Sequence, residues 1–259
     1  MHNIRIGTSG YSYKDWVGPV YPPGTPSKDF LDLYEQEFNF TELNFSYYCQ
    51  PNPRTLERMV HVTGDEFLFS IKAHKSITHE ITNNCNKDIQ QFIQGISPLI
   101  RASKLAVVLI QFPFSFHYTA AARRHLALVC NEFRGIPVAV EFRNNEWQKE
   151  SVYRGLENFD VAFVNVDVPA LQGLPKIESV VTSSISYIRF HGRNKEQWWK
   201  GTNASRYDYL YNDEELAEWV PRIKTVRESR HRVIVAFNNH WKGQAVTNAR
   251  RMKELIFDL

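Results

Sequence analysis

The segment YIRFHGR, residues 187–193, places two strong hydrogen-bonding side chains, Arg189 and His191, on one face of a predicted strand. Arginine binds carboxylate or phosphate through two parallel hydrogen bonds, and imidazole exchanges a proton near neutral pH. Other side chains, water or a ligand must satisfy these groups if they are buried, because an unpaired buried charge is very costly. The segment therefore predicts a polar site suited to anion binding and proton transfer.

Similar polar side chains stand at or just after the ends of most other apolar runs. They alternate with apolar residues, so each polar set shares one strand face. The candidates are Glu42, Asn44, Lys72, Gln111, Glu141, Arg143, Asp167, Asn238 and Asn239. One Glu–Arg pair would usually be a structural ion pair, but polar ends on seven runs favour a functional pocket.

Eight apolar runs, separated by segments with helical periodicity, would position these side chains. The runs cover residues 4–8, 41–45, 67–72, 106–112, 138–143, 161–166, 187–191 and 232–238, and helical segments cover 28–38, 54–62, 89–100, 120–133, 213–228 and 244–257. Strand alternating with helix favours a parallel sheet, and eight repeats in about 250 residues are typical of the TIM (β/α)8 barrel. A doubly wound open sheet is the alternative, but GTSGYS at 7–12 lacks its GxGxxG turn.

We therefore predict an α/β protein with one TIM-barrel domain over residues 1–259, since no Pro-, Gly- or Ser-rich linker divides the chain. The apolar strand faces are expected against the helices. The polar faces are expected inside the barrel at its C-terminal mouth, where barrel enzymes place their active sites.

Roles for the polar residues follow from their chemistry. Arg143 and Arg189 are predicted to bind an anion together with Lys72. Glu141 or Asp167 would act as the general base, and His191 as the general acid. The loops after strands seven and eight, where barrels often bind phosphate, add Arg193, Asn238 and Asn239 to the predicted binding residues.

Aromatic side chains surround the same predicted mouth. Tyr11 and Trp16 in the first loop are predicted to contact the ligand, and the insertion after strand seven interleaves Trp198, Trp199, Tyr207, Tyr209 and Tyr211 with Lys195, Lys200 and Arg206. Aromatic residues among bases can stack nucleobases while cations contact phosphates, and they can equally pack as a lid. The predicted partner is a small anionic or phosphorylated ligand, with nucleic acid as a further candidate partner.

The predicted function is therefore phosphoester hydrolysis or acid–base chemistry on a phosphorylated ligand. A non-catalytic metabolite-binding protein and a metal-dependent, endonuclease-like hydrolase are the alternatives. No cofactor is expected, although a single divalent metal held by Glu141, Asp167, His191 or His240 belongs to the second alternative. The chain has no two histidines at helical ligand spacing.

The amino-acid composition gives little information about the partner or the location of the protein. The 31 basic and 28 acidic residues leave a formal charge of +3, too mild to identify a partner. The three cysteines lack CxxC or zinc-ligand spacing, which favours free thiols in a reducing compartment. No signal peptide and no apolar run of about 18 residues are present, so we expect a cytoplasmic protein that does not contact membranes. The sequence does not indicate the oligomeric state.

Several of these segments together resemble the YecE-like family of domains of unknown function, number seventy-two in that series. The similar segments are 7–22, 42–51, 69–80, 111–116, 140–147, 165–169, 187–193 and 237–249. The resemblance implies a TIM barrel but no established reaction. Two positions depart from the family pattern: Asn144 stands where a histidine is usual, and His240 stands where an aspartate is common.

Overall fold

Eight parallel strands follow one another around a closed barrel in the computed structural model, which describes residues 4–82, 84–228 and 232–257. The strands are β1 (Ile4–Ser9), β2 (Phe40–Leu43), β3 (Leu68–Lys72), β4 (Leu105–Phe112), β5 (Val138–Phe142), β6 (Ala162–Asp167), β7 (Ile185–Phe190) and β8 (Arg232–Phe237). Strand β1 pairs with β8 from Ile4 opposite Val233 to Thr8 opposite Phe237, which closes the barrel. The predicted TIM-barrel fold is confirmed.

Helices connect the strands on the outside of the barrel. They are α1 (Phe30–Glu35), α2 (Pro53–Val62), α3 (Lys75–Thr78), α4 (Cys85–Arg101), α5 (Ala120–Glu132), α6 (Glu150–Glu157), α7 (Asn203–Arg206), α8 (Asp213–Ala217), α9 (Val220–Glu228) and α10 (Gln244–Phe257). The Asn52 side chain caps α2 by accepting from the backbone N–H of Arg54, and Pro53 needs no N–H partner in the first turn. Among the described residues, no helix is both long and apolar enough to cross a membrane.

One predicted helix is wrong in its extent. The segment 213–228 forms two helices, α8 and α9, rather than one. Asn212 and Glu215 make a capping box that starts α8. Pro221 lies in the first turn of α9, where it fits, whereas in the interior of a continuous helix it would break the hydrogen-bond ladder.

The two faces of the barrel strands differ in side-chain size. Large residues such as Phe142, Phe190 and Phe237 face outward and join the core that the helices complete. Small and branched residues of the N-terminal strand halves, such as Ala139 and Ile234, fill the interior. The interior at the C-terminal ends is left to polar side chains.

The polar face of β6 points outward, contrary to the prediction. Val166 pairs with Arg189, and Asp167 pairs with Phe190. Paired residues of neighbouring strands point to the same side, so Asp167 lies outside the barrel wall while Arg189 lies inside. The physical reason is size: Val164 and Val166 fit the narrow interior, whereas Phe163 needs the space among the helices.

Candidate functional site

A buried ion network crosses the barrel interior at the C-terminal ends of the strands. Glu42 of β2, Glu141 of β5 and Arg189 of β7 are all buried. The Nη2 of Arg189 donates to Glu42 Oε1 at 2.6 Å, and its Nη1 donates to Glu141 Oε2. Arg143, just beyond the end of β5, places Nε 2.5 Å from Glu141 Oε1. The two carboxylates and two guanidinium groups balance one another in charge. Among the described residues, the buried Nε of Arg189 has no hydrogen-bond partner.

Glu141 is held as a permanent anion by this network. Burial raises the pKa of its carboxyl, but Arg189 and Arg143 offset that effect and hold the pKa well below its usual value. Both oxygens face guanidinium groups. This geometry argues against the predicted role of Glu141 as general base and makes it the anchor of the arginines.

His191 is a neutral imidazole rather than the predicted general acid. Its Nδ1 lies 3.0 Å from the side-chain nitrogen of Asn238, which donates to it. The ring proton is then on Nε2, which lies 3.3 Å from Glu141 Oε1. Burial and the charge of Arg143 lower the pKa of His191 to about 3, so no imidazolium is present at neutral pH.

A cavity of about 640 Å³ opens above the ion network at the C-terminal mouth of the barrel. The structure brings eight of the predicted residues to its wall: Tyr11, Glu42, Asn44, Lys72, Gln111, Arg143, Arg189 and Asn238. Sixteen further wall residues were not among the predicted site residues, and they include Tyr13, Tyr47, Tyr48, His79, Phe114, Trp198, Trp199, Arg206, Tyr207 and His240. A cavity of this size is large enough for a small-molecule ligand.

Lys72, at the end of β3, is the wall residue best placed for proton transfer. Its Nζ donates to Gln111 Oε1 at 2.7 Å and lies 4.2 Å from the centre of the Tyr47 ring. Burial, followed by the charges of Arg189 and Arg143, lowers the pKa of Lys72 to about 7. The side chain therefore exists both as ammonium and as free amine at neutral pH.

The pKa values of two other cavity residues are also lowered by the positive charges around them. Burial, Lys72 and Arg143 lower the pKa of His79 to about 4. Burial raises the pKa of the Tyr207 phenol, but Arg143, Arg189 and Arg206 more than offset this and leave it below its usual value. Within the described part of the chain, the buried Nε of Arg206 has no hydrogen-bond partner. The cavity thus favours negative charge.

Asp167 belongs to a separate network outside the barrel wall. Arg193 donates to both of its oxygens, at 2.9 Å from Nε and 2.7 Å from Nη2. Tyr211 and Trp219 donate to the same carboxylate, each at 2.8 Å. Asp167, the predicted base, and Arg193, a predicted ligand-binding residue, therefore neutralise each other, and neither lines the cavity.

Trp16 and Asn239, two further predicted ligand contacts, are likewise not brought to the cavity. Both are fully buried and lie outside the cavity wall. The indole N–H of Trp16 donates to the backbone oxygen of His240 at 2.7 Å. The amide of Asn239 donates to the backbone oxygen of Tyr209 and to Asn248 Oδ1, both at 2.8 Å. Trp16 thus joins the loop after β1 to the loop after β8, and Asn239 joins the latter loop to the insertion after β7 and to α10.

The insertion after β7 contributes residues that the prediction did not assign to the site. Arg206 ends α7, and Tyr207 follows it, with its hydroxyl 3.5 Å from Arg143 Nη2. The alternation of bases and aromatic residues in this insertion was visible in the sequence, but alternation does not indicate which members face the cavity. His79 carried no sequence signal, since it follows the short helix α3 that was not predicted.

No group of three or more His, Cys, Asp or Glu side chains within residues 4–82, 84–228 and 232–257 is arranged to hold a metal ion. Glu141 and His191 face arginines, and Asp167 lies on the other side of the wall. The residues named for a divalent metal are therefore not gathered around one point.

Comparison with known proteins gives consistent matches along the whole chain. The model of the family described as "Protein of unknown function DUF72" matches residues 5–258. UPF0759 protein YunF of Bacillus subtilis is 30% identical over 269 residues, covering 98% of this chain and 94% of that protein. A DUF72 family protein from Thermotoga maritima superposes with a TM-score of 0.89 at 37% identity, covering 98% of each chain. One from Enterococcus faecalis gives a TM-score of 0.84 at 25% identity, covering 100% of this chain and 99% of that one.

Proposed function

The chain belongs to the DUF72 family of proteins of unknown function, and we propose that it binds a phosphorylated ligand in the barrel mouth and acts on it by acid–base chemistry. Lys72 is the proposed proton-transfer group, and Arg143 and Arg206 are the proposed anion-binding groups. The observation that carries the proposal is the position of Lys72, a half-buried lysine with a pKa of about 7 in the wall of a cationic cavity.

The charges of the wall support an anionic ligand. Lys72, Arg143 and Arg206 all line the cavity. Glu42 and Glu141, the carboxylates of the ion network, are already paired with Arg189, and Glu141 is also paired with Nε of Arg143. Guanidinium groups bind phosphate through parallel hydrogen bonds and keep their charge at any physiological pH, so the anion would lie between Arg143 and Arg206.

The protonation states support acid–base chemistry. A catalytic base works best when its pKa lies near the operating pH, and burial is the usual way to bring a lysine there. Gln111 accepts a hydrogen bond from Lys72 and directs its Nζ at the cavity. Phosphoester hydrolysis finds less support, because Glu141 and Asp167, the carboxylates predicted to activate water, are both occupied by arginines.

Binding of inorganic phosphate, followed by calorimetry, tests the anion site. Arg206→Met should weaken it by about 10- to 150-fold, the loss expected for one charge-assisted hydrogen bond of about 1.5 to 3 kcal/mol. Arg101→Met is the matched control, since Arg101 is exposed and lies outside the cavity wall. Equal phosphate affinity in wild type and Arg206→Met would refute the anion site.

Lys72→Arg tests the proton-transfer role. Arginine keeps the positive charge but does not release a proton at neutral pH. The variant should therefore bind phosphate within a few-fold of wild type, while turnover in a screen of phosphorylated substrates should fall at least about 100-fold, in line with general acid–base catalysis. Undiminished turnover in Lys72→Arg would contradict the proposal.

A further inference from the structure

We propose that Tyr48 and Trp199 form a stacking site for a nucleobase at the cavity mouth, so that the phosphorylated ligand is a nucleotide, either free or at the end of a single strand. The inference rests on the proposed function, because the cationic wall would bind the phosphate of the same ligand. It identifies the rest of that ligand as a nucleoside.

Tyr48 and Trp199 stand out by their exposure. Tyr48 is 68% exposed and Trp199 is 51% exposed, and they are the only large aromatic residues exposed to this degree in the described part of the chain. Both line the cavity. The other exposed large hydrophobic residues are aliphatic and lie outside the cavity wall: Val62, Ile81, Ile100, Leu128 and Leu210. Exposed aromatic surface is therefore concentrated where a ligand would enter.

A neighbouring ring contacts each of the two side chains. Tyr48 meets Tyr47 in a T-shaped contact with ring centres 5.0 Å apart, and Trp199 meets Phe114 in the same way at 4.9 Å. A T-shaped contact covers at most one face of a ring. Each exposed ring therefore keeps a face on which a planar group can stack.

The cations of the wall contact the immediate neighbours of these two rings. The Tyr47 ring, which contacts Tyr48, also has its centre 4.2 Å from Nζ of Lys72. Trp198, the buried neighbour of Trp199, lies 5.9 Å from the guanidinium carbon of Arg143. This arrangement of aromatic rings next to cations is the one that binds a base and its phosphate together. The wall also contains the apolar side chains of Pro113, Phe114 and Leu174. These side chains offer no hydrogen bonds to a sugar that carries no base.

Calorimetry with adenosine 5′-monophosphate and ribose 5-phosphate tests the inference, since the two probes differ by the base alone. The nucleotide should bind about 5- to 150-fold more tightly, which corresponds to one base–aromatic stack of about 1 to 3 kcal/mol. Trp199→Ala should remove most of this difference without changing the affinity for ribose 5-phosphate, and Trp199→Phe should restore part of it. Leu210→Ala is the matched control, because Leu210 is 53% exposed in the same insertion but does not line the cavity.

The outcomes separate this inference from the proposed function. Equal affinity for both probes would overturn the stacking site and leave the phosphate site intact. Binding of neither probe, nor of inorganic phosphate, would overturn both. A 5′-phosphorylated oligothymidylate that binds more tightly than thymidine 5′-monophosphate would identify a strand end as the source of the nucleotide, and equal binding would identify the free nucleotide; either result supports the stacking site.

Discussion

Arg189 and Glu42 lie 147 residues apart in the chain and 2.6 Å apart inside the barrel. The guanidinium of Arg189 also reaches Glu141, so one side chain joins β7 to β2 and to β5. The Tyr187 hydroxyl completes the network by donating to the other oxygen of Glu42, at 2.5 Å. The charged groups at the inner end of the cavity are therefore paired with one another within the protein.

Removal of Arg189 should be strongly destabilising. Arg189→Met leaves Glu42 without its guanidinium partner and Glu141 with Arg143 alone, and breaking a buried ion pair costs about 3 to 5 kcal/mol. Urea denaturation measures the loss in free energy of unfolding. Arg154→Met is the control: Arg154 pairs with Glu150 on an exposed helix face, where about 0.5 kcal/mol or less is expected. Similar losses in both variants would show that the network contributes no more than a surface pair.

The titration of Lys72 should appear in the pH dependence of stability. The pKa of Lys72 is about 7 in the folded protein, below the ordinary value of 10.5, so the unfolded chain binds more protons between these limits. Stability of wild type relative to Lys72→Met should therefore rise with pH from about 7 to about 10.5, by up to about 1.4 kcal/mol per pH unit, and should be flat below pH 7. A flat difference from pH 7 to 10 would contradict the lowered pKa.

A bound anion should raise the pKa of Lys72. Negative charge nearby favours the ammonium form, so it opposes the effect of Arg189 and Arg143. The lysine signal, followed by NMR after selective carbon-13 labelling, should titrate at higher pH with saturating inorganic phosphate than without it. An unchanged midpoint would mean that phosphate does not bind near Lys72.

His191 should stay neutral through the physiological range. Its pKa of about 3 lies below the ordinary value of 6.5, so the unfolded chain binds more protons between these values. Its contribution to stability is therefore present above pH 6.5 and is lost as pH falls towards 3. Nitrogen NMR should show one neutral tautomer, protonated on Nε2, from pH 5 to 8. A midpoint near 6.5 would show that His191 is not buried as described.

Asp167→Asn should loosen the insertion after β7 without abolishing phosphate binding. The change removes the charge that Arg193, Tyr211 and Trp219 share, and loss of such a buried network costs about 2 to 5 kcal/mol. Limited proteolysis should cut the insertion faster, while Lys72 and Arg143 still hold the anion. Asp160→Asn is the control, because Asp160 is exposed and accepts from the backbone N–H of Ser184.

The sequence predicted the barrel well because the strand signals are local. Each strand is a short run of branched or aromatic residues, and the observed strand ends lie within two residues of the predicted ones. The site was predicted only in part. Alternation of polar and apolar residues divides a strand into two faces, but it does not show which face points into the barrel. For β7, the assumption that the polar face points into the barrel placed Arg189 correctly. For β6 it gave the wrong answer for Asp167, where the large Phe163 on the same face was the better guide.

Partners distant in the chain account for the remaining errors. Glu141 and Asp167 looked alike as carboxylates near strand ends, but their roles depend on Arg189, Arg143 and Arg193, whose positions are fixed by the closed barrel. The lowered pKa of Lys72 has the same origin, since it requires burial and two arginines from other strands. Neither effect is encoded within a short window of sequence.

The insertion after β7 is attached to the outside of the wall through Asp167, yet it supplies Trp199, Arg206 and Tyr207 to the cavity. The insertion and the buried ion network therefore depend on different carboxylates, Asp167 outside the wall and Glu42 and Glu141 inside it. Substitutions at Trp199 or Arg206 would change the outer part of the cavity and leave Lys72 with Gln111 and Tyr47 as neighbours. Such a division would let the outer wall vary in sequence without disturbing the charges beneath it.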